Sequence, residues 1–129
     1  MTFRDIEILD FDANGIEQIA DHENMVHVPY ILSNKPPEEW TQCFLSKAAY
    51  RKARIVGDKV IYLCRKDKAA INRNGECWNI VAKYIEYANR HYREIDAQQQ
   101  QRRVREEEAQ RHEEEKNIKF EEWRRNLTR

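Results

Sequence analysis

Hydrophobic and polar positions change period several times along the chain, and each change marks an element. Between Phe3 and Phe11, Ile6, Ile8, Leu9 and Phe11 form a β-rich run that stops at Asp12-Ala13-Asn14-Gly15, predicting a strand and a turn. Ile16, Ile19 and Ala20 then stand at the spacing of one short helical turn. From Met25 to Leu32 the alternation is clean. Val26, Val28, Tyr30 and Leu32 point one way, and His27, Pro29 and Ile31 the other. Pro29 has no N–H for a ladder, which predicts an edge strand or a bulge.

Ser33-Asn34-Lys35-Pro36-Pro37-Glu38-Glu39-Trp40 is a helix start. Ser33 or Asn34 can cap, proline suits the first turn, and acids suit the positive end of the dipole. Trp40, Cys43, Phe44 and Ala48 follow at helical spacing, and Lys47, Arg51 and Lys52 collect where the helix should end, near Arg51. Gly57-Asp58 between β-branched runs predicts a two-residue hairpin turn. Pairing Val56 with Lys59 then sets Ile55 against Val60 and Arg54 against Ile61. Asp67 can cap a short helical turn through Ile71.

From Glu76 the pattern is strongly helical. Cys77, Val81, Tyr84, Ile85, Ala88, Tyr92 and Ile95 make a stripe at three-to-four spacing, with no proline or glycine as far as Arg129. The order is β, short α, β, α, β-hairpin, short α, long α. It predicts an α+β head over residues 1–95, a small four-stranded, mostly antiparallel sheet covered by helices. A charged helical arm projects from it over residues 96–129.

Within 96–117 Val104 is the one large apolar residue, and positions 104, 111, 118 and 125 read Val, Arg, Ile, Arg. That register offers no apolar heptad seam, which argues against a long two-stranded coiled coil. Pairs four apart, such as Glu107 with Arg111, support a helix in water. If helical to Lys116, the rod would span about 60 Å; the alternative is a frayed tail with too few apolar residues for a core. Ile118, Phe120, Trp123 and Leu127 then return. Phe120, Trp123 and Leu127, at i, i+3 and i+7, share one helical face too small to bury itself. Its receiver is a partner protein, a second copy, or this chain's own head folding back; an idle tail is the remaining alternative.

Lys plus Arg number 23 and Asp plus Glu number 23. The zero net charge argues against a bulk polycation and an acidic tail protein. Yet it is a sum of unlike parts. Residues 1–42 carry nine acids and two bases, and residues 43–75 nine bases and two acids. The two blocks either neutralise each other across a sheet or leave one positive face. On the second reading Lys47, Arg51, Lys52, Arg54, Arg65, Lys66, Lys68 and Arg73 would meet phosphates, and affinity would fall steeply with salt.

The search for chemistry returns little. Three widely spaced glycines exclude phosphate loops and dinucleotide fingerprints. Cys43, Cys64 and Cys77 have no paired spacing and suit a reduced, cytoplasmic protein with thiols in its core. No metal-ligand spacing and no cofactor motif occurs. Asp21-His22-Glu23 with His27 is the one acid–base cluster, and a polar turn explains it; a small hydrolase would need His22 and His27 to share a pocket. No apolar stretch can span a bilayer, and the N-terminus lacks a signal peptide's basic start. The sequence therefore predicts a non-catalytic protein-interaction module. The second expectation is a nucleic-acid-binding accessory factor using the basic block.

Overall fold

In the computed structural model, which describes residues 3–48 and 52–127, an antiparallel sheet carries helices on one face. Its strands are β1 (Ile8–Phe11), β2 (Glu17–Ile19), β3 (His22–Leu32), β4 (Ala53–Val56) and β5 (Lys59–Arg65). The helices are α1 (Glu38–Ala48), the single turn α2 (Lys68–Ile71) and α3 (Glu76–Leu127). The sheet order is β1-β3-β5-β4, and β2 also pairs with β3. The chain divides into two compact units, Met1–Arg93 and Glu94–Arg129.

The hairpin forms in the register its residues dictate. Val56 pairs with Lys59, Ile55 with Val60 and Arg54 with Ile61, and Gly57 holds φ 62°, the left-handed conformation glycine adopts without steric cost. Val26, Val28, Tyr30 and Leu32 of β3 are buried with Val60, Tyr62 and Cys64 of β5. α1 brings Trp40 and Phe44 onto that face, stacked with centroids 5.5 Å apart. α3 brings Trp78, edge-on to Tyr30 at 5.8 Å, and Tyr84, edge-on to Phe44 at 6.1 Å. The predicted stripe of α3 is buried or half-buried throughout, and it gains Trp78 and Asn89.

Three details differ from the sequence expectation. The sheet has five strands, because residues 17–19 pair with β3 instead of forming a helical turn. Three residues are too few for period to decide, and the N-terminal half of β3 offers an unpaired edge that extended backbone can fill. Second, β3 lies inside the sheet despite Pro29. Pro29 C=O accepts from Asp12 N at 2.8 Å. A strand residue's N–H and C=O point to the same side. The forfeited donor therefore faces Asp12, where β1 leaves the ladder before β2 joins, and the β5 side loses no bond. Third, Ser33 does not cap α1. It pairs with Glu7 instead, donating its N–H to Glu7 C=O at 2.8 Å and accepting at Oγ from Glu7 N at 3.0 Å. Pro37 C=O accepts the first helical bond, from Thr41 N at 3.0 Å. The end of α1 near Arg51 lies outside the described residues. Asp67 caps α2 as expected, accepting from Ala69 N at 3.0 Å.

One polar side chain joins three parts of this core. Asn89, 6% exposed, accepts at Oδ1 from Ile6 N at 3.0 Å and from Trp40 Nε1 at 2.9 Å, and donates from Nδ2 to Ile6 C=O at 2.9 Å. Asn89→Ala strands two donors and an acceptor. Each unsatisfied buried group costs about 1–3 kcal/mol, so urea unfolding should show a loss of about 3 kcal/mol or more. Gly75 precedes α3, and a Cβ there would run into the backbone carbonyl of Ala69. Gly75→Ala should therefore cost about 1–3 kcal/mol, seen as a lower thermal midpoint.

Candidate interaction surface

In the second unit α3 continues to Leu127. Every residue from 97 to 127 is exposed. Helix here rests on local terms: good helix formers, no proline or glycine, and charged pairs one turn apart. Arg124 Nη2 lies 3.3 Å from Glu121 Oε1, and Gln100 Nε2 donates to Asp96 Oδ2 at 3.3 Å. The helix runs unbroken to Leu127.

The four predicted contact residues are all open to solvent: Ile118 58%, Phe120 55%, Trp123 58% and Leu127 64% exposed. Phe120 and Trp123 have ring centroids 5.8 Å apart, and Leu127 follows one turn later. Ile118 does not join them. It precedes Phe120 by two residues, about 200° around the helix. It falls instead close to the meridian of Val104, itself exposed.

The basic block divides among several environments. Lys47 Nζ sits 5.2 Å from the Tyr87 ring centroid, and the Arg73 guanidinium 5.7 Å from that of Trp78; both cations cover aromatic rings of α3. Arg54 pairs with Ile61 and Arg65 with Met25. Alternation along β4 and β5 puts both on the face away from the helices. Lys52 gives its carbonyl to Leu63 N, and Lys66 N donates to Asn24 C=O. Lys68 opens α2. Arg51 lies outside the described residues. The acids Asp10 and Glu17, opposite Ile31 and His27, share that open sheet face on its other side. Lys59 Nζ, 3.4 Å from Asp12 Oδ2, links the two regions.

The candidate acid–base residues do not converge. His22 pairs with Ile19 and His27 with Glu17, five residues apart on one strand, about 16 Å when extended. A cleft of about 370 Å³ lies between Asp5–Ile8 and the first turns of α3, and its lining holds no serine, cysteine or histidine. Arg93 Nε, 3.5 Å from Asp5 Oδ1, bridges two of its walls. Among the described residues no group of three His, Cys, Asp or Glu side chains could hold a metal, and no helix is long and apolar enough to cross a membrane. Comparison of the chain with protein-family models, curated proteins and solved structures finds no match.

The neutral forms of Tyr30, Tyr62, Cys43 and Cys64 are favoured by the fold. Burial raises the Tyr62 hydroxyl to about 12, with Tyr84 adding to it. Burial raises Tyr30, and its 3.6 Å bond to Cys64 adds to that. Burial raises the Cys64 thiol against the lowering effect of Tyr30. Burial also raises Cys43, with Glu39 contributing. Each group is neutral when protonated and its folded value lies above the ordinary 9.0 or 10.0. The stability it contributes is complete below those values and is lost as pH rises through them. The thermal midpoint should be flat between pH 7 and 8.5 and fall by about 5 °C or more by pH 10.5, measured by circular dichroism.

Proposed function

We propose that the protein is a non-catalytic interaction module in which the C-terminal part of α3 associates with another protein or a second copy of itself. The observation that carries this reading is the Phe120–Trp123–Leu127 face. Three large apolar side chains stand more than half exposed on one stripe of the largely polar C-terminal part of α3. Solvent gives such a face no stabilisation, whereas burying an aromatic or leucine side chain contributes about 1.5–3 kcal/mol each. The helix presenting them is preorganised, so less conformational entropy is lost on binding. The raised thiols of Cys43 and Cys64 and the separated histidines fit a role without covalent or acid–base chemistry. The free cysteines fit a reducing compartment, which we take to be the cytoplasm.

A second reading rests on Arg54 and Arg65, which stand on the open sheet face beside half-buried Ile61 and Leu63. In that reading this face meets a phosphate backbone. Charge reversal at Lys52, Arg54 and Arg65 would then abolish a gel shift seen with DNA or RNA at low salt. No shift with the unmodified protein removes this reading.

For the leading reading, a chain ending at Ile95 should keep a cooperative unfolding transition, because the core residues all precede that point. It should lose partner capture or concentration-dependent mass. Pull-down and light scattering that match the full chain would reject the role of the helix. Trp123→Ala with Phe120→Ala should reproduce the loss with helix content unchanged.

A further inference from the structure

The charges of the second unit are ordered along its axis in bands. Arg102, Arg103 and Arg105 precede Glu106–Glu108; Arg111 precedes Glu113–Glu115; Lys116 and Lys119 precede Glu121 and Glu122; Arg124 and Arg125 follow. Bands of one sign recur about every seven residues. A parallel, in-register copy would set every band against its like. An antiparallel copy can set them against opposite charge or neutral residues.

Resting on the interaction reading above, we propose that the occupant of this surface is a second copy of the chain. Residues 98–127 of the two copies would lie antiparallel, with Gln98 of each level with Leu127 of the other. In this register Arg103 stands level with the second copy's Glu122, Glu106 with its Lys119, Arg111 with its Glu114, and His112 with its Glu113. No like charges stand level anywhere in the overlap. The apolar face finds cations: Trp123 meets the second copy's Arg102, and Phe120 its Arg105, an arrangement suited to guanidinium stacking on the rings. Leu127, Trp123, Phe120, Lys116 and Glu113 step by four, three, four and three residues. So do Gln98, Arg102, Arg105, Ala109 and His112, the spacing of a helix seam.

The register is specified as well as the direction. Sliding one helix by three residues sets Glu107 against Glu115 and Arg111 against Arg111 in one direction, and Glu106 against Glu122 and Glu114 against Glu114 in the other. A slide of seven sets Lys116 against Lys116 one way, or Asp96 against Glu122 and Arg102 against Lys116 the other. The pair has two-fold symmetry, so every favourable level occurs twice. It lacks an apolar heptad core, so it is weak, reversible and salt-sensitive.

Banded charge also supports a lone helix through pairs within one chain. Exchanging charges nineteen residues apart separates the two, because Arg103 and Glu122 never meet within one helix. Sedimentation equilibrium of the full chain in 0.1 M salt should show mass rising from one chain towards two with concentration, and less so in 1 M salt. Arg103→Glu and Glu122→Arg should each weaken association on the order of tenfold, with helix content unchanged by circular dichroism. The double variant should restore it to within about threefold of the original. His112→Cys should yield disulfide-linked dimers on mild oxidation, and Leu127→Cys should not. A single-chain mass at every concentration, a double variant as weak as the singles, or cross-linking at both cysteines overturns the antiparallel pair. A single-chain mass in a protein that still captures another protein through Trp123 overturns it while leaving the interaction reading in place.

Discussion

The folded unit depends on the carboxamide of Asn89. A buried polar side chain is stabilising only when its partners are satisfied, and here its three bonds reach two distant parts of the chain. Two go to the backbone of Ile6, one to its N–H and one to its C=O, as a neighbouring strand would. The third fixes the indole of Trp40, whose side chain is fully buried. The amide thereby ends the sheet edge before β1, anchors the first turn of α1 and sets the rotation of α3.

That node also explains why an α+β topology was legible in the sequence while its central bond was not. Hairpin register followed from Gly57-Asp58, the inward face of β3 from strict alternation, and the core stripe of α3 from its spacing. These are local or periodic signals. Asn89 lies between Ala88 and Arg90 as an ordinary polar residue, and its partner is 83 positions away. Pro29 and β2 escaped for a related reason. Whether a proline harms a ladder depends on which side its nitrogen faces, and whether three residues extend depends on a free edge beside them. Both are settled by neighbours distant in sequence.

The candidate surface was legible in the same uneven way. Helical spacing alone put Phe120, Trp123 and Leu127 on one stripe, and the same geometry separates Ile118 from it. The basic block was a run in sequence but is not one patch in space. Lys47 and Arg73 cover aromatic rings, their aliphatic stems adding to the cover of the core, while Arg54 and Arg65 stand on the open sheet face. Nor do the acidic and basic thirds simply face each other. Asp10 and Glu17 sit on the β1–β2 side of that face and the bases on the β4–β5 side, with Lys59 and Asp12 meeting between them. Partial exposure of both partners keeps that single link weak.

The second unit follows a different physical logic from the first. In the folded unit helix is imposed by burial, since Val81, Ile85 and Ala88 have one allowed face. From residue 97 to 127 no side chain is buried, so each turn must be favourable by itself, and contributions of a few tenths of a kcal/mol per charged pair must accumulate over length. A helix selected for that purpose alone has no use for a tryptophan, a phenylalanine and a leucine on one stripe near its end. Lysine, glutamate or alanine would propagate it as well and stay solvated. Their exposure is a cost in the free chain; in the association proposed above, contact with a second surface offsets it, and the banding of the surrounding charges selects the direction of approach.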